Sequence, residues 1–165
     1  MTELQTLLDR AFEPLQIAVA TARIPGGVLG MVDRNGHRAI RVTGRAQTVP
    51  LSRPMEQNTW FDLASLTKVV FTTPRILALA EAGIIDLDAP LTSVLPDFRQ
   101  YNADAWERKI TFRQCLGHQT PFPGVVPLYT YGTDPDQLRA YVLQHEWVAG
   151  PSVYSDINFI LLGIV

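Results

Sequence analysis

Asn35-Gly36 is the dipeptide that most restricts what this chain can become. It separates Val28-Leu29-Gly30-Met31-Val32 from His37-Arg38-Ala39-Ile40-Arg41-Val42. Two strand-like runs joined by Asn-Gly form the strongest short hairpin signal, because the tight turn needs positive φ and these residues tolerate it. The hairpin is predicted over about 27–43. No second hairpin of that quality follows, and two strands alone are marginal in water. Further strands are therefore needed, and they are not evident in the 165 residues, so the chain is expected to be the front part of a larger fold.

Most of the remaining sequence has helical character. Leu4, Leu7, Leu8, Ala11, Phe12, Leu15, Ile17 and Val19 fall mostly on one helical face, with Pro14 expected to bend or divide that helix. Residues 44–60 are polar and irregular. A helix is predicted from Ser65 to about Glu81, kinked at Pro74 and stopped at Gly83. A helical region then covers about 84–165. Within it, Thr111 should cap a short helix ending at Gly117, and Asp134-Pro135 should open another. His118 to Pro127 reads as a loop. The segment from Asp156 to Val165 is strongly apolar and has no polar cap after it. The expectation is exposed apolar surface at 159–165, and self-association through it.

Composition removes several classes of function. The chain is 47% hydrophobic and 18% charged, an ordinary globular balance with the length of one domain. A net charge of -2 gives no basic footprint for nucleic acid. Cys115 is the single cysteine, so no internal disulfide forms. His37, His118 and His145 do not fall at metal-ligand spacing, and no metal or cofactor is implied. The N-terminus lacks a basic region ahead of an apolar stretch, so no signal peptide is expected. No run reaches the ~18 apolar residues of a membrane span. A cytoplasmic location follows as the expectation.

Chemistry enters at Ser65-Leu66-Thr67-Lys68. On a helix, positions i and i+3 share a face, so hydroxyl and amine can meet. A lysine among apolar neighbours such as Val69, Val70 and Phe71 tends to lose its proton, which would give the serine its own base. With five serines and two lysines, an accidental S-x-x-K is expected about 0.06 times. Read alone, the motif also describes a serine capping a helix, with an exposed lysine one turn on. Twelve arginines against those two lysines argue that Lys68 is more than a surface cation.

A second stretch, Tyr154-Ser155-Asp156, lies 86 residues after Lys68. The two motifs in this order resemble the serine β-lactamase and penicillin-binding-protein superfamily, marked by S-x-x-K, then Y-x-N or S-x-N, then K-T-G or H-x-G. Phe61 to Lys68, Leu116-Gly117-His118-Gln119-Thr120-Pro121, and Tyr154 to Phe159 are most similar to its class C β-lactamase, DD-peptidase and esterase branch. The resemblance implies an α+β, β-lactamase/transpeptidase-like fold: an antiparallel sheet flanked by helices, plus a helical region, here without its C-terminal strands. It implies that Ser65 is the acylated nucleophile and Lys68 its proton acceptor or electrostatic partner. Tyr154 becomes a second proton-transfer group and Asp156 a substrate-binding residue. The substrate would be a small ester or amide.

Three departures stand out. Asp156 occupies a position where asparagine is commoner, and an ionised carboxylate accepts but does not donate. No K-T-G or H-x-G follows Tyr154. His118-Gln119 stands where a threonine-histidine-threonine run is more usual, and reads as a structural turn. Two functions stay open: a serine hydrolase acting through acyl-Ser65, and a non-catalytic or truncated piece of that fold serving as a binding scaffold.

Overall fold

The computed structural model describes residues 2–165, which fall into two compact units meeting in sequence between Asp62 and Leu63. Leu8, Phe12 and Met55 are buried in the first unit, and one cluster of buried apolar residues runs through the second.

The first unit is an antiparallel sheet with one helix. Helix α1 (Glu3–Ala20) begins at a capping box in which Thr2 and Gln5 satisfy each other's backbone N–H groups. It runs unbroken through Pro14, so of the bend or division expected there the division does not occur. An interior proline costs about 3 kcal/mol in isolation. Packing on both sides of it offsets that cost. Leu8 and Phe12 are buried before the proline, and Leu15 after it lies so close to Gly27 that a Cβ there would sit 2.8 Å from its Cδ1. Arg41 donates to Asp9 at 2.9 Å and ties helix to sheet.

Strands β1 (Gly26–Val32) and β2 (Arg38–Gln47) pair antiparallel, with Val28 opposite Val42 and Gly30 opposite Ile40. The hairpin falls where the sequence put it and extends further at the open end. Its turn is longer than the two-residue form: Asp33 N–H donates to His37 O, and Gly36 takes φ 83°. A three-residue loop with a left-handed last residue is the next commonest hairpin connection. Asp33 Oδ1 accepts from the N–H groups of Asn35 and His37 and holds it. A third strand, β3 (Arg53–Pro54), pairs with β2 across an irregular register inside the stretch read as irregular. Two residues ending in proline carry no periodic signal, so this strand was invisible to pattern reading.

The second unit is helical. The chain enters through a tight turn in which Leu66, Thr67 and Lys68 N–H bond to Leu63, Ala64 and Ser65 O. A π-turn (Lys68–Thr72) leads into α2 (Thr73–Glu81). The π-turn is how the helix accommodates Pro74. Thr73 N–H reaches back five residues to Lys68 O, so the carbonyl ladder is re-phased just before the residue that has no N–H to give. Gly83, at φ 68°, follows the helix end as expected.

Short 3₁₀ turns at Leu91–Ser93, Trp106–Lys109 and Leu128–Thr130 alternate with α3 (Phe112–Leu116), α4 (Pro135–Gln144) and α5 (Asp156–Ile164). Thr111 caps α3 in a capping box with Gln114, and Asp134 caps α4 with Pro135 in its first turn, both as predicted. Phe98, Phe112, Phe122, Leu143, Ile157 and Leu161 are at the centre of one continuous core. Phe159, Leu161 and Leu162 lie inside it, so of the apolar surface expected at 159–165 only Val165, at 37%, is exposed, with Ile160 and Ile164 partly buried. The apolar surface lies instead on the entry to α2, where Leu66, Val69, Val70 and Phe71 face solvent. Among the described residues, no helix is long and apolar enough to cross a membrane.

Candidate active site

Ser65 stands at the exposed start of the helical segment that becomes α2. The residue before it, Ala64, has φ 44°, a left-handed conformation that costs an L-residue roughly 1–2 kcal/mol. Three residues on, Lys68 Nζ lies 3.2 Å from Ser65 Oγ, the i, i+3 meeting that the spacing predicted.

Lys68 differs from the sequence expectation in its charge. Its apolar neighbours in sequence are solvent-exposed, while its own side chain is 15% exposed. Nζ donates to Asp156 Oδ1 at 2.8 Å. Burial is the largest single influence and pulls the Lys68 pKa down, but the Asp156 carboxylate and the Tyr154 hydroxyl together outweigh it. The pKa lies above the ordinary lysine value, so Lys68 is an ammonium rather than the neutral amine first expected. The reason is tertiary: the counter-charge lies 88 residues away in sequence, at the first turn of α5.

Tyr154 joins the same cluster. Its hydroxyl bonds with Ser65, the main cause of a pKa below the ordinary tyrosine value, and Lys68 adds to the shift. Lys68 Nζ lies 5.2 Å from the centre of the Tyr154 ring and 5.7 Å from that of Phe159, within cation–π range of both. Ser65, Lys68, Tyr154 and Asp156 therefore converge. Asp156, expected at the substrate, is hydrogen-bonded to Lys68.

The loop after α3 supports this cluster. His118 is the left-handed residue that closes α3, with φ 53°. Its N–H bonds Cys115 O and Gln119 N–H bonds Gln114 O, the paired bonds of a Schellman end. His118 Nδ1 accepts from Ser155 N–H at 3.0 Å, and its ring stacks on Tyr154 with centroids 4.2 Å apart. Asn158 Nδ2 lies 3.4 Å from the same Nδ1, while Thr120 Oγ1 donates to Asn158 Oδ1 at 2.7 Å. Thr120, Ser155 and Asn158 are fully buried. Ser155 Oγ donates to Pro123 O and Asp156 N–H to Gly124 O. His118, Thr120 and Asn158 were not named as site residues in the sequence. Their only signal there was membership of two of the stretches that carried the family resemblance.

Beside the cluster opens a cleft of about 540 Å³, walled by Val125, Val126, Pro127 and Leu128 on one side and by Phe159 and Ile160 on another. Ser65, Lys68 and Asp156 reach it. The Ser65 hydroxyl thus borders a mostly apolar hollow that also has a cation and a carboxylate.

The fold and these relatives together define a member of a hydrolytic superfamily. Residues 8–165 match the Beta-lactamase family, and the chain belongs to it. It is 35% identical over 111 residues to Esterase EstB of Burkholderia gladioli, covering 67% of this chain and 27% of that one. It is 31% identical over 129 residues to the N-acetylmuramyl-L-alanine amidase of Bacillus subtilis (strain 168), covering 70% and 29% respectively. A class C β-lactamase solved in complex with cefoxitin superposes with a TM-score of 0.73 at 25% identity, over 96% of this chain and 43% of that one. The α+β fold expected from the sequence is that of this family. The chain spans less than a third of the length of these two curated relatives.

Proposed function

We propose that this chain carries the nucleophile and proton-transfer groups of a serine hydrolase that moves an acyl group from an ester to Ser65 and then to water. The observation that carries this reading is the meeting of Ser65 Oγ, a cationic Lys68 and a tyrosine of lowered pKa, with Ser65 and Lys68 lining one cleft.

A charged lysine is a poor base, so the base is Tyr154. As phenolate it takes the Ser65 proton while Oγ bonds to the substrate carbonyl carbon. Lys68 stabilises the phenolate by charge, and Asp156 keeps Lys68 protonated. The Ser65 backbone N–H, at the start of a helical segment, supplies one donor to the developing oxyanion. Tyr154 then returns the proton to the departing alcohol as the carbon–oxygen bond breaks. In the second half it takes a proton from water, which attacks the acyl-Ser65 carbonyl, and Ser65 leaves with that proton.

Asp156 favours esters over β-lactams and peptides. An ionised carboxylate at the cleft cannot donate to a substrate amide carbonyl. The apolar wall at Val125–Leu128 suits a small apolar acyl group. Fluorophosphonate labelling followed by peptide mass mapping tests the assignment. The label is expected on Ser65 and absent from Ser65→Ala; label on another residue with Ser65 untouched sinks it. Among acyl substrates, p-nitrophenyl butyrate is expected to acylate Ser65 faster than nitrocefin does.

A further inference from the structure

We propose that His118 is a positioning residue for Tyr154: its ring, stacked on the phenol, and its Nδ1, bonded to Ser155 N–H, hold the tyrosine hydroxyl against Ser65 and Lys68. The proposal deepens the acyl-transfer reading above and rests on the role given there to Tyr154.

Three observations converge on it. First, the position itself is costly for a histidine. A Schellman end wants glycine at its left-handed residue. The chain has a glycine next door, Gly117, at an unremarkable φ of -89°, while the left-handed place goes to His118 at φ 53°. A strained residue kept where glycine would relax the backbone points to a use for its side chain. Second, that side chain grips Tyr154 twice, through the ring at 4.2 Å and through the next residue's backbone at 3.0 Å. Tyr154 is 53% exposed, and Lys68 Nζ lies against its ring at 5.2 Å, so the stacked imidazole is the aromatic surface that orients it.

Third, the grip requires one protonation state. Nδ1 accepts from Ser155 N–H and faces Asn158 Nδ2, so the ring proton belongs on Nε2. The charged groups facing His118 are Lys68, on the helix from Ser65, and Asp156, at the start of α5, with Tyr154 beside it. Burial first, and Lys68 next, hold its pKa below the ordinary histidine value, so the neutral accepting form prevails at pH 7. Thr120 fixes Asn158 from behind, which keeps the arrangement in register.

The test reads Tyr154 directly in the full chain. With tyrosine labelled at the ring carbon bearing oxygen, the Tyr154 resonance is assigned by its loss in Tyr154→Phe. It is then titrated in the wild type, His118→Gly and His118→Asn. In the wild type Tyr154 should titrate below the ordinary value of ~10. In His118→Gly it should return toward that value, with thermal stability unchanged or raised. His118→Asn tolerates the left-handed backbone and offers Oδ1 to Ser155 N–H, so it should fall between the two. The same Tyr154 titration in wild type and both variants overturns the proposal. A stability change with no titration change does so too, since it makes His118 a turn residue only. If His118→Gly is unfolded by circular dichroism, His118→Asn decides alone: an intermediate titration supports the proposal and a wild-type one overturns it. Ser65 labelling by fluorophosphonate should slow about a hundredfold in His118→Gly. A wild type that never labels at Ser65, yet shows the His118-dependent shift, defeats the acyl-transfer reading and leaves the positioning role standing. Normal labelling with no shift does the reverse.

Discussion

Lys68 shows how much one residue's chemistry depends on a partner distant in sequence. The motif Ser65-Leu66-Thr67-Lys68 correctly brings hydroxyl and amine within 3.2 Å, because i, i+3 geometry is local. Its charge state is not local. Burial favours a neutral amine, Asp156 and Tyr154 favour the cation, and the second effect wins. The raised pKa fixes a pH window. Ion pairing by Lys68 supports the fold fully below the unfolded lysine value of about 10.5, and that support is lost as pH rises through the higher folded value. Asp156→Asn removes the main group opposing burial, so the Lys68 pKa should drop below its wild-type value. A carbon-detected NMR titration checks this cleanly, because Lys109 is the only other lysine and serves as internal reference. An unchanged Lys68 titration in Asp156→Asn would mean that the carboxylate does not hold the charge.

Elements in the helical unit are joined by buried polar ties as well as by the apolar core. Glu107, in the 3₁₀ turn Trp106–Lys109, is 1% exposed and meets Arg99 Nε at 3.3 Å. It also accepts from Trp147 N–H at 3.1 Å, just beyond the end of α4. Arg99 in turn donates to Gln144 O at 2.6 Å. One carboxylate therefore links the segment before α3 to the far end of α4. Removing it leaves a buried guanidinium without its counter-charge and a backbone N–H without its acceptor. Glu107→Ala should cost about 3–5 kcal/mol, read as a lower urea midpoint with unchanged slope. A loss under about 1 kcal/mol would show that Arg99 relaxes into solvent. Element boundaries here were largely legible: Thr111, Asp134 and Gly83 are local stop and start signals whose physics lies within one turn. The π-turn was not, because only the ladder geometry around Pro74 reveals it.

At the scale of the whole molecule, the surface of the helical unit sets behaviour in solution. Leu66, Val69, Val70 and Phe71 follow one another around the entry to α2 and stay exposed, Phe71 at 71%. Contiguous apolar patches of this kind favour association. We expect the 165-residue chain to self-associate through them rather than through the buried residues 159–162. Sedimentation velocity over a concentration series should show growth of larger species in the wild type, and Val70→Glu with Phe71→Glu should suppress it. A wild type that stays monomeric at high concentration contradicts this.

Sequence alone determined what short-range physics encodes. Asn35-Gly36 and its flanking strands, the caps at Thr111 and Asp134, and the contact of Ser65 with Lys68 all depend on residues within one turn or one hairpin. Motif order then tied Tyr154 to them through the family likeness. Tertiary structure decided the rest. It carried α1 through Pro14 by packing on both sides, buried Phe159, Leu161 and Leu162 of α5, and set Asp156 against Lys68 so that the lysine keeps its proton. It also brought His118 under Tyr154 across 36 residues of sequence. Those outcomes depend on groups that meet only when the chain is folded, where desolvation and a counter-charge compete over distances that no sequence pattern records.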